Sequence, residues 1–277
     1  MPEARNRDVR VAYEEHGPAD GEPLVLIMGL GGGQRSWWRM VPHLAETHRV
    51  ITVDNRGIGG TSDPPLTRPL TISDMARDVV AVLDDLEIDA AHIHGMSLGG
   101  MISQRLGLDH RDRVRSLALG CTTPGLRPFR DPPPWALMLG SALGPVAPKR
   151  AWRIVEPSMY ARATIEHRHD RIREDLAAHV GMRVGRRTIP AQIGAASNHR
   201  VAGRLHELAG LPVTVIHGDE DRLIPISSGR AIAARIPGAR MVELFGCGHV
   251  MPTDAEHAYV DALREHLARA SAEPVAA

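Results

Sequence analysis

Apolar residues along this chain fall into short unbroken runs that alternate with segments of helical spacing. Val9 to Glu15 alternates and predicts an edge strand, with His16-Gly17-Pro18 and Asp20-Gly21 turning the chain after it. Leu24 to Met28 is a continuous apolar run, the pattern of a strand buried on both faces. Gly29 to Gly33 breaks it, and Ser36 to Glu46 reads as a helix. Arg49 to Asp54 is the next buried strand. Ser73 then caps a helix carrying Met75, Val79, Val82, Leu83 and Leu86 at helical spacing. Ala91 to Met96 is a third buried run. It turns abruptly at Ser97 into a helix that ends near Asp109, and Arg115 to Cys121 follows as a strand. Strands alternating with helices in this way predict a parallel sheet covered on both faces.

After Thr122 the alternation stops. Prolines at 124, 128, 132, 133 and 134 lead into helical patches such as Ala163 to Arg183, with no strand-like run. The sheet pattern resumes at Pro212 to His217 and at Arg240 to Phe245. An amphipathic helix from about Ala255 to Arg269 closes the pattern, and Ser271 to Ala277 reads as frayed. The expected organisation is therefore a first core segment, 1–122, a helical cap, 123–206, and a second core segment, 207–277. The cap carries fourteen Arg and Lys against six Asp and Glu, a surplus of eight. It reads as a solvated face or as a field that draws in an anionic substrate.

Gly95-Met96-Ser97-Leu98-Gly99 is a G-x-S-x-G nucleophile elbow. A sharp strand-to-helix reversal strains the serine backbone, and glycine on each side leaves room for the turn. A serine hydroxyl needs a base to take its proton and a third group to orient that base. Asp221 and His249 each fall just past a predicted buried strand, at the carboxyl ends where open parallel sheets hold their sites. Asp219, two residues from Asp221, is a rival acid. His94 and His217 sit within or at the end of strands and read as satisfied core residues that could line the site floor.

Composition narrows the partners. The chain has 277 residues, 43% of them hydrophobic, and a formal net charge of zero, which argues against nucleic acid or an anionic membrane as the main partner. No apolar run approaches the ~18 residues of a membrane span. The charged Met1 to Asp8 lacks the apolar segment of a secretion signal, so a cytoplasmic protein is expected, and separately a monomer or homodimer. Two cysteines, Cys121 and Cys247, read as buried small residues. His167 and His169, two apart, would face different sides of a helix, so they do not suggest a shared metal. Gly29-Leu30-Gly31-Gly32-Gly33 suggests a dinucleotide site, but Gln34 stands where the fingerprint needs its third glycine.

These motifs together resemble the α/β-hydrolase superfamily, from about residue 9 to 270. Met28-Gly29-Leu30-Gly31 looks like its oxyanion loop, Asp54-Asn55-Arg56-Gly57-Ile58-Gly59 like its D-x-R-G-x-G turn, and Gly248-His249 like the dipeptide carrying the base. Met28 departs from the histidine found in many members. The chain looks most similar to small single-cap bacterial esterases and the 3-oxoadipate enol-lactonase group. The resemblance implies an α/β-hydrolase fold, with a mostly parallel sheet flanked by helices and an inserted helical cap. It also implies the acid at Asp221, four residues before Pro225.

The expected activity is hydrolysis of a carboxylic ester or lactone through an acyl-enzyme, with Ser97 attacking, His249 relaying protons and Asp221 orienting the imidazole. Oxyanion donors are expected at the Leu30 and Leu98 N–H groups, each worth ~3 kcal/mol in the transition state. No metal or organic cofactor is required. Trp37 and Trp38, and Trp135 and Trp152 in the cap, are expected to pack cap on core or to wall an apolar acyl pocket. Similar proteins use the same triad for C–C hydrolysis, haloperoxidase or perhydrolase chemistry, or elimination and cyclisation. Others on this scaffold are non-catalytic ligand receptors.

Overall fold

The unbroken apolar runs become the inner strands of one eight-stranded sheet in the computed structural model, which describes residues 2–65, 67–125 and 148–272. The strands are β1 (Glu3–Asn6), β2 (Val9–His16), β3 (Glu22–Ile27), β4 (His48–Val53), β5 (Ala91–Met96), β6 (Val114–Gly120), β7 (Val213–Gly218) and β8 (Arg240–Leu244). They lie in the order β1-β2-β4-β3-β5-β6-β7-β8. Pairing is antiparallel from β1 to β2 and from β2 to β4, and parallel from there to β8.

Strand periodicity explains the two layers. On β3, Val25 and Ile27 point into one core and Leu24 and Leu26 into the other, and all four are buried. The helices that cover these faces are α1 (Val41–Leu44), α2 (Ile72–Asp85), α3 (Leu98–Asp109), α8 (Ile226–Ala233) and α10 (Glu256–Ala272). Met75 and Val79 of α2, Ile102 and Leu106 of α3 and Ile232 of α8 fill the first core. Leu44 of α1 and Tyr259, Leu263 and Leu267 of α10 fill the second, with Trp37 and Met40. Between β6 and β7 the described residues form α4 (Pro148–Met159), α5 (Arg162–His167), α6 (His169–His179) and α7 (Thr188–Ser197). A short α9 (Met251–Asp254) precedes α10.

Four local expectations change. The predicted helix over Ser36 to Glu46 is a 3-10 turn, Gln34–Trp37, followed by the short α1, because Pro42 has no N–H to carry a longer helix through. The cap of α2 is Thr71, not Ser73. Its hydroxyl accepts from the Asp74 N–H at 3.1 Å, and the Asp74 carboxylate accepts from the Thr71 N–H at 3.0 Å. The patch from Ala163 to Arg183 is two helices, broken at Arg168 (φ −133°, ψ 40°) and ended before Gly181 (φ +77°). At the N-terminus, Glu3–Asn6 forms an unforeseen strand, held by pairing to β2 with only Ala4 buried.

The reassigned cap is testable. Thr71→Ala should lower unfolding free energy in urea by about 1 kcal/mol, whereas Ser73→Ala should stay within about 0.5 kcal/mol of the parent. The reverse order would return the cap to Ser73.

Candidate active site

The turn from β5 into α3 puts Ser97 at φ 57°, ψ −116°, a left-handed conformation that a side chain adopts only under strain. Its neighbours show why. A Cβ on Gly95 would overlap the Gly99 carbonyl and the Ser103 hydroxyl, and one on Gly99 would overlap the Ile27 carbonyl of β3. The main chain is also tied down: Ser97 N–H donates to Gly120 O at 2.8 Å, and the Thr122 hydroxyl donates to Ser97 O at 2.7 Å. As the first residue of α3, Leu98 has an N–H with no intrahelical acceptor.

The loop after β3 lies against this turn, since a Cβ on Gly29 would sit 3.0 Å from Ser97 Cβ. Leu30, the other expected donor, is held there through its neighbours. Asn55 donates to Met28 O at 2.7 Å. Gly31 N–H donates to Gln192 Oε1 at 3.0 Å, while Gln192 Nε2 donates to Arg56 O at 3.0 Å. One buried amide from α7 thereby joins the loop to the turn after β4. In that turn Asp54 accepts from the Gln34 and Gly60 N–H groups, and Arg56 makes a buried two-point ion pair with Asp78 (2.6 and 2.8 Å).

Asp221 and His249 meet beside β7 and β8. His249 Nδ1 donates to Asp221 Oδ2 at 2.7 Å, and both side chains are buried. Asp221 Oδ1 accepts from the Leu223 and Ile224 N–H groups at 2.9 and 2.8 Å. Asp219 instead accepts from the Cys247 N–H at 3.3 Å, so Asp221 is the carboxylate on the imidazole. Burial opposes the Asp221 charge, but His249 and His217 beside it hold the carboxyl well below the usual range. Burial likewise opposes protonation of His249, and the Asp221 carboxylate overcomes it, raising the imidazole well above 6.5. The His249 loop is fixed by Asp254, whose Oδ2 accepts from Gly248 N–H (2.7 Å) and from Ala161 N–H (2.9 Å) at the start of α5.

Cys121, at φ 38° and fully buried, faces both the His249 ring and the Ser97 main chain. Burial pushes its thiol up, so it stays neutral. Its sulfur, an Asp221 oxygen and a His249 nitrogen lie within 4.8 Å of one another. They form the one metal-capable group of three among the described residues. The 2.7 Å Nδ1–Oδ2 separation is that of a hydrogen bond between two of its members. Among the described residues the Ser97 hydroxyl has no hydrogen-bond partner.

Other expected residues separate by environment. His94 donates through Nδ1 to Ala118 O (2.9 Å) and accepts at Nε2 from the Tyr259 hydroxyl (2.6 Å), and burial lowers it to about 4. It is a neutral core residue. Trp37 is fully buried and packs edge-on to His94 at 5.2 Å, in the core rather than on a pocket wall. Trp38 is 38% exposed, with the Arg39 guanidinium 4.1 Å from its ring centroid. Trp152 packs edge-on to Tyr160, and Trp135 lies outside the described residues. His167 and His169 sit on either side of the α5–α6 break, beside Glu166 and Glu156 respectively. The basic surplus between β6 and β7 is partly answered by core acids: Arg171 pairs with Glu256, Arg183 with Asp63 and Arg204 with Asp109.

Comparison with known proteins agrees with the fold. The family profile described as alpha/beta hydrolase fold matches residues 22–183. A Variovorax paradoxus protein carrying the name carbamate hydrolase RutD is 32% identical over 271 residues, 96% of this chain and 98% of that one. A Mycobacterium tuberculosis protein named as non-heme bromoperoxidase BpoC is 31% identical over 250 residues, 87% of this chain and 91% of that one. The solved enol-lactonase of Burkholderia xenovorans superposes with a TM-score of 0.84 at 23% identity, covering 96% of this chain and 100% of its own.

Because main chain occupies the place of a Cβ at position 99, Gly99→Ala should destabilise the fold by about 3 kcal/mol. Chemical denaturation reads this directly. A variant as stable as the parent would contradict the close approach of α3 to β3.

Proposed function

The chain belongs to the α/β hydrolase fold family, and within it we propose that this protein is a serine hydrolase cleaving carboxylic esters or lactones through an acyl-enzyme. The observation that carries the reading is the buried His249–Asp221 hydrogen bond at the same sheet edge as a strained, solvent-reachable Ser97. With Nδ1 engaged by Asp221, the nitrogen left to receive the Ser97 proton is His249 Nε2. That contact closes as substrate binds, as free enzymes often hold it loosely.

Ser97 Oγ attacks the acyl carbon while His249 takes its proton, and the Asp221 carboxylate steadies the imidazolium. The carbonyl oxygen gains charge between the Leu30 and Leu98 N–H groups, main-chain donors whose fixed positions would cost little rearrangement. His249 returns the proton to the leaving oxygen. It then activates a water that releases the acid and regenerates Ser97. Carbamate, the substrate class in the RutD relative's name, presents the same trigonal carbon to this machinery. The likeness to BpoC favours a second reading in which hydrogen peroxide replaces water at the acyl-enzyme and a peracid leaves. Peracid formation from acetate and peroxide at a rate above ester hydrolysis would select it.

Ser97→Ala should cut kcat for p-nitrophenyl acetate by about 10⁴-fold or more and abolish labelling by a fluorophosphonate. Undiminished turnover by the variant would remove Ser97 as nucleophile. The base must be neutral to act, and its proton is held by Asp221. The acid limb of kcat/KM should therefore lie above 6.5, with activity lost as pH falls through it. A limb near 4 would assign the ionisation to a carboxylate instead.

A further inference from the structure

The oxygen of Asp221 that holds His249 has a second imidazole on it. His217, the fifth residue of β7, stands 3.2 Å from Asp221 Oδ2 through Nε2, and the same nitrogen is 2.8 Å from Ile224 O. The hydrogen bond to Ile224 O fixes the proton on Nε2, which then faces the Asp221 oxygen as well, and leaves Nδ1 as a bare acceptor. The other end of the ring agrees. Nδ1 is buried without a hydrogen-bond partner and faces Gly229 of α8, where a Cβ would come within 2.6 Å of it. His217 is fully buried, and an unpaired buried acceptor is a cost that an apolar residue would not bring.

Resting on the reading of Ser97, Asp221 and His249 as catalytic, we infer that His217 is a positioning residue that sets how tightly Asp221 grips His249, and thereby the pH at which His249 becomes a base. Two N–H groups drawing on the charge of one carboxylate oxygen weaken each other's hold on it. With His217 in place, Oδ2 divides its charge between the rings. Without it, the His249 bond takes the whole oxygen and the imidazolium is held to higher pH.

Among the described residues, α8 brings Gly229 against the His217 ring, and Cys121, just after neighbouring β6 and beside His249 and Asp221, stays neutral. On β8 the register partner Glu243 is bound at two points by Arg230 (2.7 and 2.8 Å).

The test compares His217→Met, which removes the donor at similar length, with His217→Gln, which returns an amide N–H near the place of Nε2. Ser97 labelling by a fluorophosphonate and kcat/KM for p-nitrophenyl acetate are followed against pH. The acid limb of His217→Met should move up by about one unit, a roughly tenfold loss below the parent limb, and His217→Gln should restore most of it. Limbs unmoved in both variants, whatever their plateaus, would leave His217 a purely structural residue and overturn the inference. If His217→Met does not fold, the parent protein labelled with 15N-histidine decides. The His217 Nε2 resonance should shift with the midpoint of His249, and a flat trace overturns the inference. A parent chain unlabelled at every pH would instead sink the underlying serine-hydrolase reading.

Discussion

Helix α3 can begin where it does only because its first turn presses main chain against main chain. Gly99 packs on the Ile27 carbonyl and Gly95 on Gly99, so strand, turn and helix meet closer than side chains permit. The reversal leaves Ser97 in a left-handed conformation with its side chain at the carboxyl edge of the sheet. Strain of this kind, of order 1–3 kcal/mol, persists only where surroundings over-determine it. Here Gly120 O, the Thr122 hydroxyl and both cores do so. Every other part of the proposed site is positioned relative to that serine: the loop after β3 against its Cβ, Cys121 against its main chain, and the Asp221–His249 pair beside them.

The helices between β6 and β7 are fastened to both sides of that site. On one side Gln192 of α7 binds the loop after β3, and Arg39 reaches into α6 to pair with Asp175 and Glu174. On the other, Asp175 accepts from the hydroxyls of Tyr160 and Thr253, and Asp254 joins Ala161 to the residue before His249. A shift of these helices would therefore be felt at the loop after β3 and at His249 together. Removing one partner of such a buried pair costs about 3–5 kcal/mol, because it leaves the other charge buried and uncompensated. Pairing with core acids also explains part of the basic surplus of this segment without recourse to an anionic substrate.

The inner strands were legible because burial on both faces leaves no polar position in Leu24–Met28 or Arg49–Asp54 beyond their ends and Thr52. The elbow was legible for a related reason: its glycines are demanded by backbone contact. His249 followed from its place after β8, whereas Asp219 and Asp221 both follow β7 and the choice between them came from the family resemblance. Where the pattern was silent, the cause is tertiary. Strand β1 buries only Ala4, and hydroxyls at 71 and 73 are equally plausible caps until the first turn is fixed to the residue. Gln192 meets Gly31 across 161 residues, and nothing local marks it. Cys121 reads as filler until its sulfur is seen against His249, and His217 as a core histidine until its nitrogen is seen on Asp221.

The central claim is that Ser97 carries a covalent acyl group during turnover. Rapid acid quench of the enzyme with p-nitrophenyl acetate, followed by intact-mass and peptide analysis, tests it most directly. The account predicts one acetyl group per chain, on the peptide containing Ser97, formed no more slowly than kcat. Turnover with no covalent species, or acetyl on Cys121 with Ser97 unmodified, would contradict it.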